Sequence, residues 1–152
     1  MQDLVIVAWL SLSLRWSRML KKLIIHLGDC KAGSTSIQTI LFRKAWSSQN
    51  HSVIYPGPFN HIRLAKSLST KSLLSFQQRL YSRINQRLTN SSASVGILSA
   101  ENFEFVDPQL LSEAINTYLP DFKDNLQLIT YVRPHAERLL ASYSERVKKG
   151  TR

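Results

Sequence analysis

Three short runs rich in branched apolar residues, Lys22–Leu27 (KLIIHL), Val95–Leu98 and Leu126–Val132, are separated by segments whose apolar residues recur at helical spacing. Runs this short and this continuously apolar suit strands covered on both faces. Strands joined through helices must run parallel, because a hairpin cannot connect them. The alternation therefore predicts an α/β fold, a parallel β-sheet flanked by helices on both faces. Helices are expected at Ser34–Trp46 (apolar Ile37, Ile40, Leu41 and Ala45), Ile62–Leu68, Leu73–Leu88, Pro108–Leu119 and His135–Lys149. Val53–Tyr55 reads as a further short strand, closed by the breaker Pro56-Gly57-Pro58. Ser34 or Thr35 is the expected N-cap of the first helix. Asp107 caps the fourth with Pro108 at its first position, and Gly150 closes the last.

The 152 residues suffice for one domain with a core. The formal net charge of +10 is unevenly placed: residues 1–90 carry 13 Lys/Arg against 2 acids, the remainder 7 against 8. A half so basic attracts anions such as nucleotides, acidic glycans, nucleic acid or an anionic membrane, and composition does not choose among them. In Leu73–Leu88 the apolar stripe Leu73, Phe76, Leu80, Ile84 and Leu88 faces a core, while the basic row Arg79, Arg83, Arg87 reads as a solvated face. One cysteine, Cys30, excludes an internal disulfide and fits a reducing, cytoplasmic setting. No Cys/His spacing suggests a metal. Leu4–Leu14 is an apolar run of eleven residues, short of the ~20 that span a bilayer. It also lacks the basic lead and cleavage site of a signal peptide. Residues 1–18 read as an extension upstream of a start at Met19, or as a weak apolar anchor peripheral to a membrane.

Chemistry concentrates where strands end, since ligands of open parallel sheets bind beyond the carboxyl ends of the strands. The loop Gly28-Asp29-Cys30-Lys31-Ala32-Gly33-Ser34-Thr35-Ser36 links the first strand to the first helix. Its glycines let backbone approach an anion, the helix N-terminus favours negative charge, Lys31 adds a full positive charge, and Ser34, Thr35 and Ser36 add hydroxyl donors. A Walker A loop would need Gly-Lys-Ser/Thr at its end, whereas Ser34 follows Gly33 here. The second segment, Tyr131 to Tyr143, ends a strand on Arg133, whose guanidinium fork matches phosphate oxygens. The third, Tyr55-Pro56-Gly57-Pro58-Phe59-Asn60-His61, places a histidine just ahead of a helix. Glu101, just past the Val95–Leu98 strand, is a second candidate base; His26, inside a strand, is expected to be packed.

The string His26-x-Gly28-x-x-Lys31-Ala32-Gly33-Ser34-Thr35-Ser36-Ile37-Gln38 resembles the 5′-phosphosulfate loop of PAPS-dependent sulfotransferases of the bacterial branch. The Arg133 segment is similar to that family's 3′-phosphate-binding segment, and Tyr55-Pro56-Gly57…Asn60-His61…Leu64-Ala65 to a stretch of its bacterial members. The resemblance covers roughly residues 20–150 and divides the chain into residues 1–18 and a partial sulfotransferase domain, 19–152. It implies a P-loop-like core and PAPS as donor substrate, with no metal. Lys31, Gly33, Ser34, Thr35, Ser36, Arg133 and Ser142 would hold the donor, and a hydroxyl acceptor such as a glycan would be sulfated. Lys31 would stabilise the leaving phosphate, and His61 or Glu101 would take the acceptor's proton. The family commonly has a serine eight residues after the arginine, where this chain has Ala141 and then Ser142. Family members are longer, so the chain reads as the N-terminal half of the fold, with little activity expected of it alone. The other readings are a different P-loop enzyme, such as a small-molecule kinase, and a non-catalytic basic anion-binding module.

Overall fold

The structure, a computed structural model, describes residues 22–28, 33–132 and 134–150. Residues 1–18, the start at Met19, Cys30, Lys31 and the strand-end Arg133 lie outside the described residues.

In chain order the elements are β1 (Lys22–His26), α1 (Ser34–Phe42), β2 (Val53–Ile54), α2 (Ile62–Ser69), α3 (Leu74–Thr89), β3 (Val95–Ser99), α4 (Pro108–Tyr118), β4 (Leu126–Ile129) and α5 (His135–Lys148). Short 3₁₀ turns at Lys71–Leu73, Glu101–Phe105 and Pro120–Asn125 join them. All four strands are parallel, in the order β2-β3-β1-β4. Ile25 on the central strand lies opposite Leu98 of β3 on one side and Leu128 of β4 on the other.

Because side chains alternate across a strand, Leu23 and Ile25 share one face of the sheet with Leu98. All three are at most 1% exposed. Against them pack Leu64, Ala65 and Leu68 of α2, Tyr81, Ile84 and Leu88 of α3, and Leu111 and Ile115 of α4. Each fully buried aliphatic side chain contributes roughly 1.5–3 kcal/mol, so this layer holds the domain together. His26 and Ser99, paired in register, point to the opposite face. There Gln38 of α1 donates to the Ser99 hydroxyl at 3.2 Å. Helices thus cover both faces of a parallel sheet, as the strand–helix alternation predicts. No helix among the described residues is long and apolar enough to cross a membrane.

Several boundaries depart from the sequence expectations, each for a local reason. The first helix stops at Phe42 rather than Trp46. Lys44 N–H bonds to Leu41 O, and Ala45 N–H reaches back to Ile40 O at 3.0 Å, with Lys44 at φ 54. That is a Schellman closure with a lysine in the left-handed position glycine usually takes. The N-cap of the same helix is Gly33 (φ 90), not Ser34 or Thr35, because the Ser34 hydroxyl is drawn away to Glu101. β4 ends at Ile129 rather than Val132; it is an edge strand, and Tyr131 and Val132 leave the sheet exposed. In α3, Tyr81, Ile84 and Leu88 carry the buried stripe, while Phe76 is 45% exposed. Arg79, Arg83 and Arg87 are exposed, as expected. Asp107 caps α4, its carboxylate accepting from Gln109 N–H at 2.8 Å, and Gly150 (φ 66) follows the C-cap of α5.

Candidate functional site

The chain leaves β1 for the edge strand β2, returns to β3 beside β1, then crosses β1 to reach β4. Connections from β1 and β3 therefore depart in opposite directions. Right-handed crossovers send their helices to opposite faces, and in open parallel sheets a ligand crevice is expected between two such carboxyl ends. The residues bordering that crevice are Gly28, Glu101 and the first turn of α1.

Gly28 adopts φ 60, and a Cβ there would stand 3.1 Å from Glu101 Cα and 3.2 Å from Glu101 N. The strand end is thus pressed against the backbone of Glu101, which only a glycine permits. Ala100 N–H donates to His26 O at 3.2 Å and fixes this approach. Gly33 adopts φ 90, and among the described residues nothing lies within 4 Å of where a Cβ would stand. The Ser34 hydroxyl, buried, donates to the Glu101 carboxylate. Thr35 and Ser36 are exposed on the first turn, and no side chain caps α1 among the described residues. Its amino end thus faces the crevice with the helix dipole's positive pole.

Beneath this rim is a buried polar network that sequence reasoning missed. Ser99, fully buried, receives the Gln38 amide at 3.2 Å and lies 2.8 Å from His26 Nδ1. With Gln38 donating to it, the Ser99 hydroxyl can donate onward to His26 Nδ1, which leaves the His26 proton on Nε2. Burial lowers the His26 pKa, while the nearby Glu101 carboxylate acts in the opposite sense. His26 is packed, as its place in a strand implies, and is also electrostatically coupled to the Glu101 carboxylate. A polar residue at the end of an apolar strand, directly before Ala100-Glu101, was the available signal for Ser99; for Gln38 it was its place closing the loop motif.

His61 occupies a different position from that of an available base. Its Nδ1 accepts from Ser99 N–H at 3.0 Å and its Nε2–H donates to Pro56 O at 2.8 Å, so both ring nitrogens are held by backbone. Its own N–H donates to Ser99 O at 2.9 Å. Tyr55 packs edge-on against the ring at 4.9 Å. Burial lowers the His61 pKa, opposed by its hydrogen bonds with Pro56 and Ser99. The Tyr55 hydroxyl donates to Phe59 O at 3.0 Å, and burial pushes its pKa up to about 12, against a lowering contribution from Ser99. The Tyr55–His61 segment is therefore a clamp on the carboxyl end of β3. Of the two sequence-predicted bases, Glu101 is the one bordering the crevice.

The second motif leaves the sheet next to the first. Leu27 N–H donates to Ile129 O at 2.8 Å, His26 lies opposite Ile129, and the His26 and Tyr131 rings meet edge-on at 5.6 Å. The Gly28 loop and the Tyr131–Tyr143 segment thus depart from adjacent strands at one edge. Ser142 and Ala141 are both half-buried on α5, which is tied to the turn after Glu101 by an Arg138–Glu104 ion pair at 3.2 Å. No cluster of three or more His, Cys, Asp or Glu suited to a metal is present among the described residues. No family model, curated protein or solved structure matches the chain.

Proposed function

We propose that this chain carries the donor half of a PAPS-dependent sulfotransferase site, which directs a sulfuryl group to a hydroxyl acceptor, with Glu101 as the proton acceptor. The observation that carries the reading is the closed contact of Gly28 on Glu101, with Ser34 bonded to that carboxylate, at the point where the connections of β1 and β3 diverge. On this reading an anion site and a base share one crevice.

The residues fit a nucleotide anion in three respects. Among the described residues, nothing fills the space beside Gly33 and no side chain caps the electropositive end of α1, while Thr35 and Ser36 present exposed hydroxyls. In sequence, Lys31 falls within the same loop, and Arg133 follows the strand next to β1. Ser34 has a different task from its neighbours: it orients Glu101 rather than facing the ligand. In the reaction the acceptor's O–H proton passes to the Glu101 carboxylate as its oxygen bonds to sulfur. The bond from sulfur to the 5′-phosphate oxygen then breaks, and Lys31 neutralises the charge left on that oxygen. Catalysis on these terms is positioning and charge neutralisation.

Calorimetric titration with 3′-phosphoadenosine 5′-phosphate, beside ATP with Mg²⁺, tests the reading. The bisphosphate is expected to bind more tightly, and Lys31→Ala to weaken it by about 1–3 kcal/mol, the scale of a charge-assisted hydrogen bond. Glu101→Gln should retain binding, because it removes a base rather than a phosphate ligand. Preference for ATP with Mg²⁺ would turn the assignment to a kinase-type enzyme.

A further inference from the structure

At the far end of α1, about 13 Å from the loop by helix rise, lies a cavity of about 730 Å³ beside the edge strand β2. Its wall combines three kinds of group. Phe42, Trp46 and Tyr55 supply aromatic surface, Lys44 and Arg87 supply positive charge, and Gln86, Asn90 and Ser91 supply neutral hydrogen-bonding groups. The Trp46 indole N–H is buried there and meets no acceptor among the described residues.

Two features of this wall bear on what it could hold. The first is Lys44, which closes α1 at φ 54, where a side chain is strained and glycine is the favoured residue. Residues held in such positions cluster at ligand sites and switch regions. The second is the basic row of α3. Arg79, Arg83 and Arg87 lie along an exposed face, and its last member, Arg87, lines the cavity. The row forms an electropositive approach that ends at the aromatic groups.

We propose that this cavity binds an acidic saccharide. The aromatic faces would carry the apolar C–H face of a sugar ring, the amides and Ser91 its hydroxyls, and Lys44 and Arg87 its carboxylate or sulfate. Neutral hydrogen-bonding side chains stand beside two cations, a balance that suits a hydroxyl-rich ring carrying an anionic group. The volume falls within the range of small-ligand clefts. The site stands apart from the β1–β3 crevice and does not depend on the donor reading.

Titration of the full chain with a heparin-derived tetrasaccharide tests this, with a neutral cello-oligosaccharide of equal length and ATP as comparisons. The acidic sugar is expected to bind, with an affinity that falls as salt rises, while the neutral one binds at least tenfold more weakly. Arg87→Gln should weaken the acidic sugar about tenfold, the scale of one charge-assisted contact. Arg79→Gln, at the remote end of the row, should change it less than twofold. Lys44→Gly is the sharpest probe: the melting temperature should hold or rise as the strained lysine is relieved, while affinity drops about tenfold. Added 3′-phosphoadenosine 5′-phosphate should leave the titration unchanged. The proposal is overturned if Lys44→Gly and Arg87→Gln bind like the parent, if the neutral sugar binds equally well, or if either nucleotide displaces the tetrasaccharide.

Discussion

At the scale of single residues, the two histidines that border the carboxyl ends of the central strands couple the stability of the fold to pH. His26 and His61 are both buried, and burial is the main cause lowering each pKa from the usual 6.5. The unfolded chain therefore takes up protons that the native state resists. This stabilisation is fully present above about pH 6.5 and is lost as the pH falls below that value. A series of melting temperatures between about pH 7.5 and 5 should be level at the upper end and decline through the lower. A level series throughout would show that neither ring is neutral and enclosed in the fold. The sequence marked both histidines but not their surroundings. His61 in front of a helix looked available for catalysis, and its two backbone partners, Ser99 N–H and Pro56 O, became apparent only once β3 lay beside the Pro56 turn.

At the scale of elements, local pattern sufficed for most of the architecture, and tertiary pairing supplied the rest. The branched runs and helical periods foretold the four strands and five α-helices of the described residues with shifts at the ends, because alternation and helical spacing are properties of neighbouring residues, but not the three 3₁₀ turns. Strand order was not legible: β1 pairs with β3 and β4, and nothing in KLIIH names its partners. The cap of α1 was misread for the same reason, since Ser34 is claimed by a carboxylate 67 positions away. The loop between β1 and α1 yields a ranked prediction. Gly28→Ala meets both a left-handed φ and Glu101 backbone at 3.1 Å, whereas Gly33→Ala meets only an unfavourable φ. Denaturant unfolding should show Gly33→Ala costing about 1–2 kcal/mol and Gly28→Ala clearly more. The reverse order would mean that the packing of Gly28 on Glu101 is not a tight contact. At the far end of α1, Lys44→Gly should run opposite to both, because there the substitution installs the favoured residue.

At the scale of the whole molecule, burial is lopsided. Over β1 and β3 the face bearing Leu23, Ile25 and Leu98 is sealed by α2, α3 and α4, whereas its β4 edge is thinly covered: Leu128, on the same face, is 51% exposed, and Leu139, Leu140, Tyr143 and Val147 of α5 are all exposed. Substitutions on the two sides should therefore differ greatly in the isolated chain. Leu98→Ala is expected to cost about 2–5 kcal/mol, while Leu140→Ser should stay within about 0.5 kcal/mol of the parent. Equal losses by denaturant unfolding would mean that α5 packs against something in solution. The sheet order carries one more consequence, for biosynthesis. β1 is translated first of the four strands yet sits in the middle, and both of its neighbours come from much later in the chain. Until the ribosome has delivered Leu126–Ile129, the apolar KLIIH segment has at least one open flank, and a nascent chain halted before Val95 has neither partner. Such a polypeptide depends on holdase chaperones during elongation more than one whose strands pair as they emerge, because exposed strand edges invite aggregation.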